Sequence, residues 1–266
     1  MADSVYISAN LSKQQLDFIH LLEEFEVEIF HFNDIEKQFS RKFENLNEIL
    51  ENLVRKKILS RIERGKFCRN NFRDENVIGT FVVQESAIAY WSALNLYGLT
   101  EQFANTVFVQ TTHRKSDKTI LGTNYKFVKI APRKRVGIIS NGYGNTRYPI
   151  TDIEKTIIDC FDLPQYSGGY AELIRALSIS ELNPQKMIQY CKAIDNIAIT
   201  KRIGFLAELF KKKSLQEFIS FAIEQKNQKY NIIDPQSKNK GEFISSWKLR
   251  LNISRDELLD IANKQY

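Results

Sequence analysis

Apolar residues recur every three or four positions along residues 45–57. Leu46, Ile49, Leu50, Leu53 and Val54 fall on one side, the spacing of a half-buried helix. A shorter helix precedes it, with Asn33 as its expected N-cap and Phe39 near its end, and Ser40-Arg41-Lys42 breaks the chain between the two. Residues 58–62 then alternate as a strand, Glu63-Arg64-Gly65-Lys66 turns, and Phe67-Cys68 begins a return strand. An amphipathic helix over residues 11–25, carrying Leu16, Ile19, Leu21 and Leu22, is placed to back this pair. Helix, turn, helix and hairpin in that order predict a winged helix-turn-helix over residues 1–72, a module that docks on duplex DNA.

Polar residues 69–76 read as a linker, and the pattern changes after them. A helix is expected over residues 87–99, with Tyr90, Trp91, Leu94 and Tyr97 inward and Gly98 as its stop. Strands are expected at residues 106–111, 120–130 and 136–140, with 141–145 as a hairpin-type turn. Thr151-Asp152-Ile153-Glu154 has the form of a capping box opening a helix. Asn183-Pro184 is a cap followed by a proline at the first helical position. Helices are also expected near residues 171–177, 203–213, 215–225 and 254–262, with a loop at 234–241 and a strand at 243–251. Lys211, Lys212 and Lys213 are expected to be cations that favour a helix C-terminus. The fold class expected is mixed α/β. An N-terminal winged helix-turn-helix (1–72) precedes a larger α/β domain (77–266) with a small, mostly antiparallel sheet and a helical C-terminal half.

Charge sharpens the N-terminal reading. Residues 1–36 hold eight carboxylates against Lys13, a net of −7, whereas residues 37–73 hold eleven cations against four carboxylates, a net of +7. The sign changes where the turn, second helix and hairpin begin, as suits a meeting with phosphates; a solvated charged face gives the same tally. The exposed face of the second helix also carries Glu44, Glu48 and Glu51, which phosphates repel. Base reading is therefore expected at the start of that helix, from Lys42, Asn45 and Asn47, with Arg55 as a further candidate. Phosphate contacts are expected from Arg41, Arg61, Arg64 and Lys66. A second basic stretch, residues 111–135, has a net charge of +7. If its strands share a sheet, Arg114, Lys115, Lys126, Lys129, Arg133, Lys134 and Arg135 form one basic surface for nucleic acid or an acidic partner. Solvated loops and lysines guarding a sheet edge are the plain alternative.

The 266 residues are 43 % hydrophobic, enough for one large or two modest cores, and the net charge is +6. No apolar run reaches the roughly 18 residues needed to cross a bilayer, and Met1-Ala2-Asp3-Ser4 lacks the start of a signal peptide. Cys68, Cys160 and Cys191 are expected as buried reduced thiols, and the cytoplasm as the compartment. His20, His31 and His113 are far apart, and Asp159 with Asp162 reads as surface acids rather than a divalent-ion site. No metal, cofactor or catalytic set is expected, although an enzyme with an unfamiliar site stays open.

The run from Tyr90 to Gln102, YWSALNLYGLTEQ, resembles the signature helix of the AbiE-type antitoxin family. The resemblance continues in order through residues 106–111, Gly122, Phe127-Val128-Lys129, residues 150–160, Gly168-Gly169, Trp247 and Leu251-Asn252. It implies a transcriptional repressor and antitoxin of a type IV toxin–antitoxin system linked to abortive infection by phage. In such a system the N-terminal domain binds inverted repeats in its own promoter. The larger domain opposes a nucleotidyltransferase-like toxin without a stable complex. A winged-helix regulator with no toxin partner remains the alternative.

Overall fold

A computed structural model describes residues 11–102 and 104–264. Met1–Ser4, and with it the reading of a missing signal peptide, lies outside them. Among the described residues the chain is mixed α/β, with eleven α-helices, two three-stranded sheets and one six-stranded sheet.

The N-terminal unit begins with α1 (Lys13–Glu24), capped by Ser12 in a reciprocal box with Gln15. Strand β1 (Ile29–His31) runs directly into α2 (Phe32–Gln38), and α3 (Leu46–Arg55) follows. Strands β2 (Leu59–Glu63) and β3 (Lys66–Arg69) form a hairpin, and β1 pairs on the other edge of β3, giving the antiparallel order β1-β3-β2. Leu46, Ile49, Leu50 and Leu53 are buried, as their spacing requires, among Phe18, Phe30, Ile35 and Phe67. Asn33 does not cap α2. The chain enters that helix from a strand, and the Phe32 amide is held by the Gly65 carbonyl at 2.8 Å.

Of the stretch read as a linker, Arg69 ends β3, residues 70–74 are turn or irregular, and Glu75-Asn76 open α4 (Glu75–Phe81), capped by Asp74. The next sheet joins β4 (Ser86–Ile88), β5 (Thr106–Thr111), β6 (Lys118–Ile120), β7 (Thr123–Lys129), β8 (Ile138–Asn141) and β9 (Tyr148–Thr151). Their order is β6-β7-β5-β4-β9-β8. β5–β7 and β4–β9 are parallel and the other pairs antiparallel, so the sheet is larger and more mixed than its sequence pattern predicts. Two corrections follow from turns inside apolar runs. Ala87-Ile88 belong to a buried strand, and α5 is only Tyr90–Leu96, begun at a left-handed Tyr90 (φ 54°). Residues 120–130 split at Leu121-Gly122, both at positive φ, into two strands.

One face of this sheet packs with α4 and with Ile62 and Cys68 of the N-terminal sheet. The other face carries the helical half: α6 (Ile153–Asp162), α7 (Tyr170–Ile179), α8 (Pro184–Ile194), α9 (Ile197–Leu209), α10 (Gln216–Gln225) and α11 (Arg255–Asn263). Asp152, not Thr151, caps α6, while Glu154 receives the Asn183 amide at 2.9 Å. Lys212, past the end of α9, donates to the Ser178 and Ser180 carbonyls and so serves a helix C-terminus, that of α7. Strands β10 (Asn231–Ile232), β11 (Glu242–Ile244) and β12 (Leu249–Leu251) make the last sheet, ordered β10-β12-β11, so residues 243–251 are a hairpin rather than one strand. All three cysteines are free and buried. Among the described residues no helix is long and apolar enough to cross a membrane.

Candidate nucleic-acid interface

An open groove of about 670 Å³ separates α3 from the β2–β3 hairpin. Asn47 and Glu51, one turn apart on the exposed side of α3, form one wall; Arg61, Arg64 and Phe67 form the other. The β1–α2 junction closes one end with His31, Phe32 and Asn33. Sequence spacing fixes this arrangement. Burying Leu46, Ile49, Leu50 and Leu53 turns Asn47 and Glu51 outward, and strand alternation turns Arg61 away from the buried Ile62.

The groove's charges interlock. Arg61 pairs with Glu51 across it, and its guanidinium carbon lies 5.4 Å from the Phe67 ring centroid. Both partners of the pair are roughly half exposed, at 42 % and 48 %. Arg64 sits exposed at the hairpin tip beside Gly65, whose φ of 71° makes the tight turn. Burial and the nearby Lys66 ammonium hold the His31 imidazole below its ordinary pKa against the pull of Asp34, and its ring stacks on Phe81 at 4.2 Å.

The other expected contact residues are less concentrated. Lys42 and Asn45 are exposed just ahead of α3, with Asn45 in a left-handed conformation (φ 58°). Arg41 is drawn back to Asp17 at 2.9 Å and lies over Phe43. Arg55 bonds Asn52 on its own helix. Lys66 faces away from the groove. It is only 18 % exposed and reaches the Val82 carbonyl and Glu63, because its β3 position alternates with the groove-facing Phe67. His31, Phe32, Asn33 and Glu51 line the groove without having been expected there. The signal for Glu51 was its place four residues after Asn47.

Residues 111–135 do not form one basic surface. Lys126 and Lys129 are three apart in β7 and therefore project from opposite faces. Acids, most of them remote in sequence, also claim these cations. Lys115 reaches Glu63 at 2.6 Å, Lys126 Asp117 at 2.6 Å, Lys134 Asp162 at 2.5 Å and Arg133 Asp195 at 3.0 Å. Arg135 donates to the Glu85 carbonyl, while Arg114 and Lys129 are exposed.

Among the described residues no cluster of histidines, cysteines and carboxylates has the geometry of a metal site. Asp159 and Asp162 are not the surface acids expected: Asp159 is buried against Lys155, and Asp162, only 10 % exposed, holds Lys134.

No family model matches this chain, and no curated protein does. Among solved structures, the RV2827C protein of Mycobacterium tuberculosis is similar at a TM-score of 0.65 over 96 % of each chain, with 11 % identity. At that identity the likeness concerns the fold.

Proposed function

We propose that the N-terminal unit is a winged helix that binds duplex DNA and that the protein is a self-regulating antitoxin. The observation that carries the first part is the groove between α3 and the hairpin, with Arg61 and Arg64 on its rim and Asn47 on its wall. The order α1, β1, α2, α3, β2, β3 suits a module that lays α3 in a major groove while the hairpin tip follows the phosphates. Lys42, Asn45 and Asn47 then read base edges, and Arg61 and Arg64 hold phosphates. Repression works by occupancy of promoter repeats. Support for the antitoxin part is the ordered resemblance of residues 90–102, 106–111 and 150–160 to AbiE-type antitoxins.

Two assays test the parts separately. In mobility shifts on the DNA upstream of its own gene, the protein is expected to prefer that duplex; equal affinity for random duplex overturns specific repression. Co-expression with a neighbouring nucleotidyltransferase-like protein is expected to restore growth. Failure of rescue with DNA binding intact leaves a regulator alone.

A further inference from the structure

The β10-β12-β11 sheet has an apolar inner face and an unusual outer one. Leu249, Leu251 and Ile244 are buried beneath it. Phe243 and Arg250, direct partners in the antiparallel register, project outward. Phe243 is left 55 % exposed, with the Arg250 guanidinium 4.8 Å from its centroid. Tyr230, 37 % exposed, meets Phe243 edge-on at 5.1 Å and carries the Lys248 ammonium over its own ring.

Beside these rings lies a cavity of about 300 Å³, lined in part by Arg202, Arg250 and Asn239. Arg202 comes from α9 and is only 8 % exposed. Its Nε donates to the Ile232 carbonyl at 2.9 Å, yet it has no ion pair among the described residues. Burial draws the guanidinium below its ordinary pKa; Tyr170 and Asp234 oppose that through space. A buried cation without a paired anion is unfavourable, and an anion in the cavity relieves it. The surroundings have the same bias. Residues 226–250 hold six cations against Asp234 and Glu242, and none of the six is in an ion pair among the described residues. The cations of residues 111–135 differ, most being held by carboxylates.

We propose that this outer face binds single-stranded nucleic acid. A backbone phosphate seats in the cavity against Arg202 and Arg250, and an unstacked base lies on Phe243, with Tyr230 as a second platform. Charge alone would fit any polyanion. The exposed ring pair selects one that carries flat bases, and a base is free to stack only when it is outside a duplex. The site belongs to the C-terminal sheet and is independent of the reading given to the α3 groove.

The test is fluorescence anisotropy with the full chain carrying Arg61→Ala and Arg64→Ala, which removes the groove cations. Short (~12-nucleotide) labelled RNA and DNA single strands, the matching duplex and an abasic strand of equal length are compared. The single strands are expected to bind best, and Phe243→Ala to weaken them about 5- to 100-fold. Phe243→Trp is expected to restore binding, and the abasic strand to bind as weakly as the alanine variant does. Phe243 lies more than half in solvent, so its replacement leaves the buried core untouched. Absent single-strand binding, an unchanged alanine variant, equal binding of the abasic strand, or a Phe243→Ala loss as large for the duplex as for the single strands each overturns the proposal.

Discussion

Glu63 ties the β2–β3 hairpin to the central sheet, and Glu63→Gln measures that tie. Its carboxylate is 13 % exposed and meets the ammoniums of Lys115 at 2.6 Å, Lys118 at 3.2 Å and Lys66 at 3.3 Å. Burial alone raises its pKa, but the three lysines more than reverse this, and the group ends below its ordinary 4.5. A fully exposed pair contributes about 0–1 kcal/mol, and breaking a fully buried one costs about 3–5 kcal/mol. Glu63 is mostly buried, Lys66 and Lys115 are 18 % and 21 % exposed, and Lys118 is 45 % exposed, so the loss should fall between, at about 2 kcal/mol. Because the folded pKa is depressed, this stability is present above 4.5 and fades as pH falls through the folded value. Urea denaturation of both proteins at about pH 7 and about pH 3 reads the difference. The gap is expected to be wide at the higher pH and narrow at the lower. A gap equal at both values, or absent at neutral pH, refutes the reasoning.

Glu51→Gln releases Arg61 and removes a carboxylate from the groove. The exposed pair contributes up to about 1 kcal/mol, so duplex affinity should rise about 2- to 5-fold in a titration; weaker binding would mean that Glu51 itself accepts a bond from a base. Changing Asn47 to Ala should relax sequence preference with little change in affinity for random duplex, by competition binding. Gly204→Ala places a Cβ 2.7 Å from Trp247 and from Ala222. Crowding at about 1–3 kcal/mol outweighs about 1 kcal/mol of helix propensity, so the Tm should fall; a rise would show that α9 has room to move.

Where one period ran uninterrupted, the sequence specified the fold well. The α3 stripe, the Glu63–Lys66 turn and the Asn183-Pro184 helix start were legible because each rests on local geometry. Apolar runs with a hidden turn were not. Ala87 and Ile88 have no polar neighbour to mark a strand end before Tyr90, and Phe243 to Leu251 alternates through a turn. Strand β1 is three residues long and gains its place from pairing with β3, which no local pattern reports. The candidate site divided in the same way. Asn47, Arg61 and Arg64, singled out from the helix start and the basic hairpin, line one groove, whereas Lys66 turned inward and the basic stretch at 111–135 dispersed. Local charge counts omit acids such as Glu63, Asp162 and Asp195, which only tertiary contact brings to those lysines.

The most direct measurement is the salt dependence of binding to the upstream duplex, for the native chain and for the Arg61→Ala, Arg64→Ala double variant. Each lost phosphate contact lowers the slope of log K against log salt by about 0.9, so the variant should bind more weakly and lose roughly 2 from its slope. An unaltered slope and affinity would mean that the hairpin does not touch the DNA.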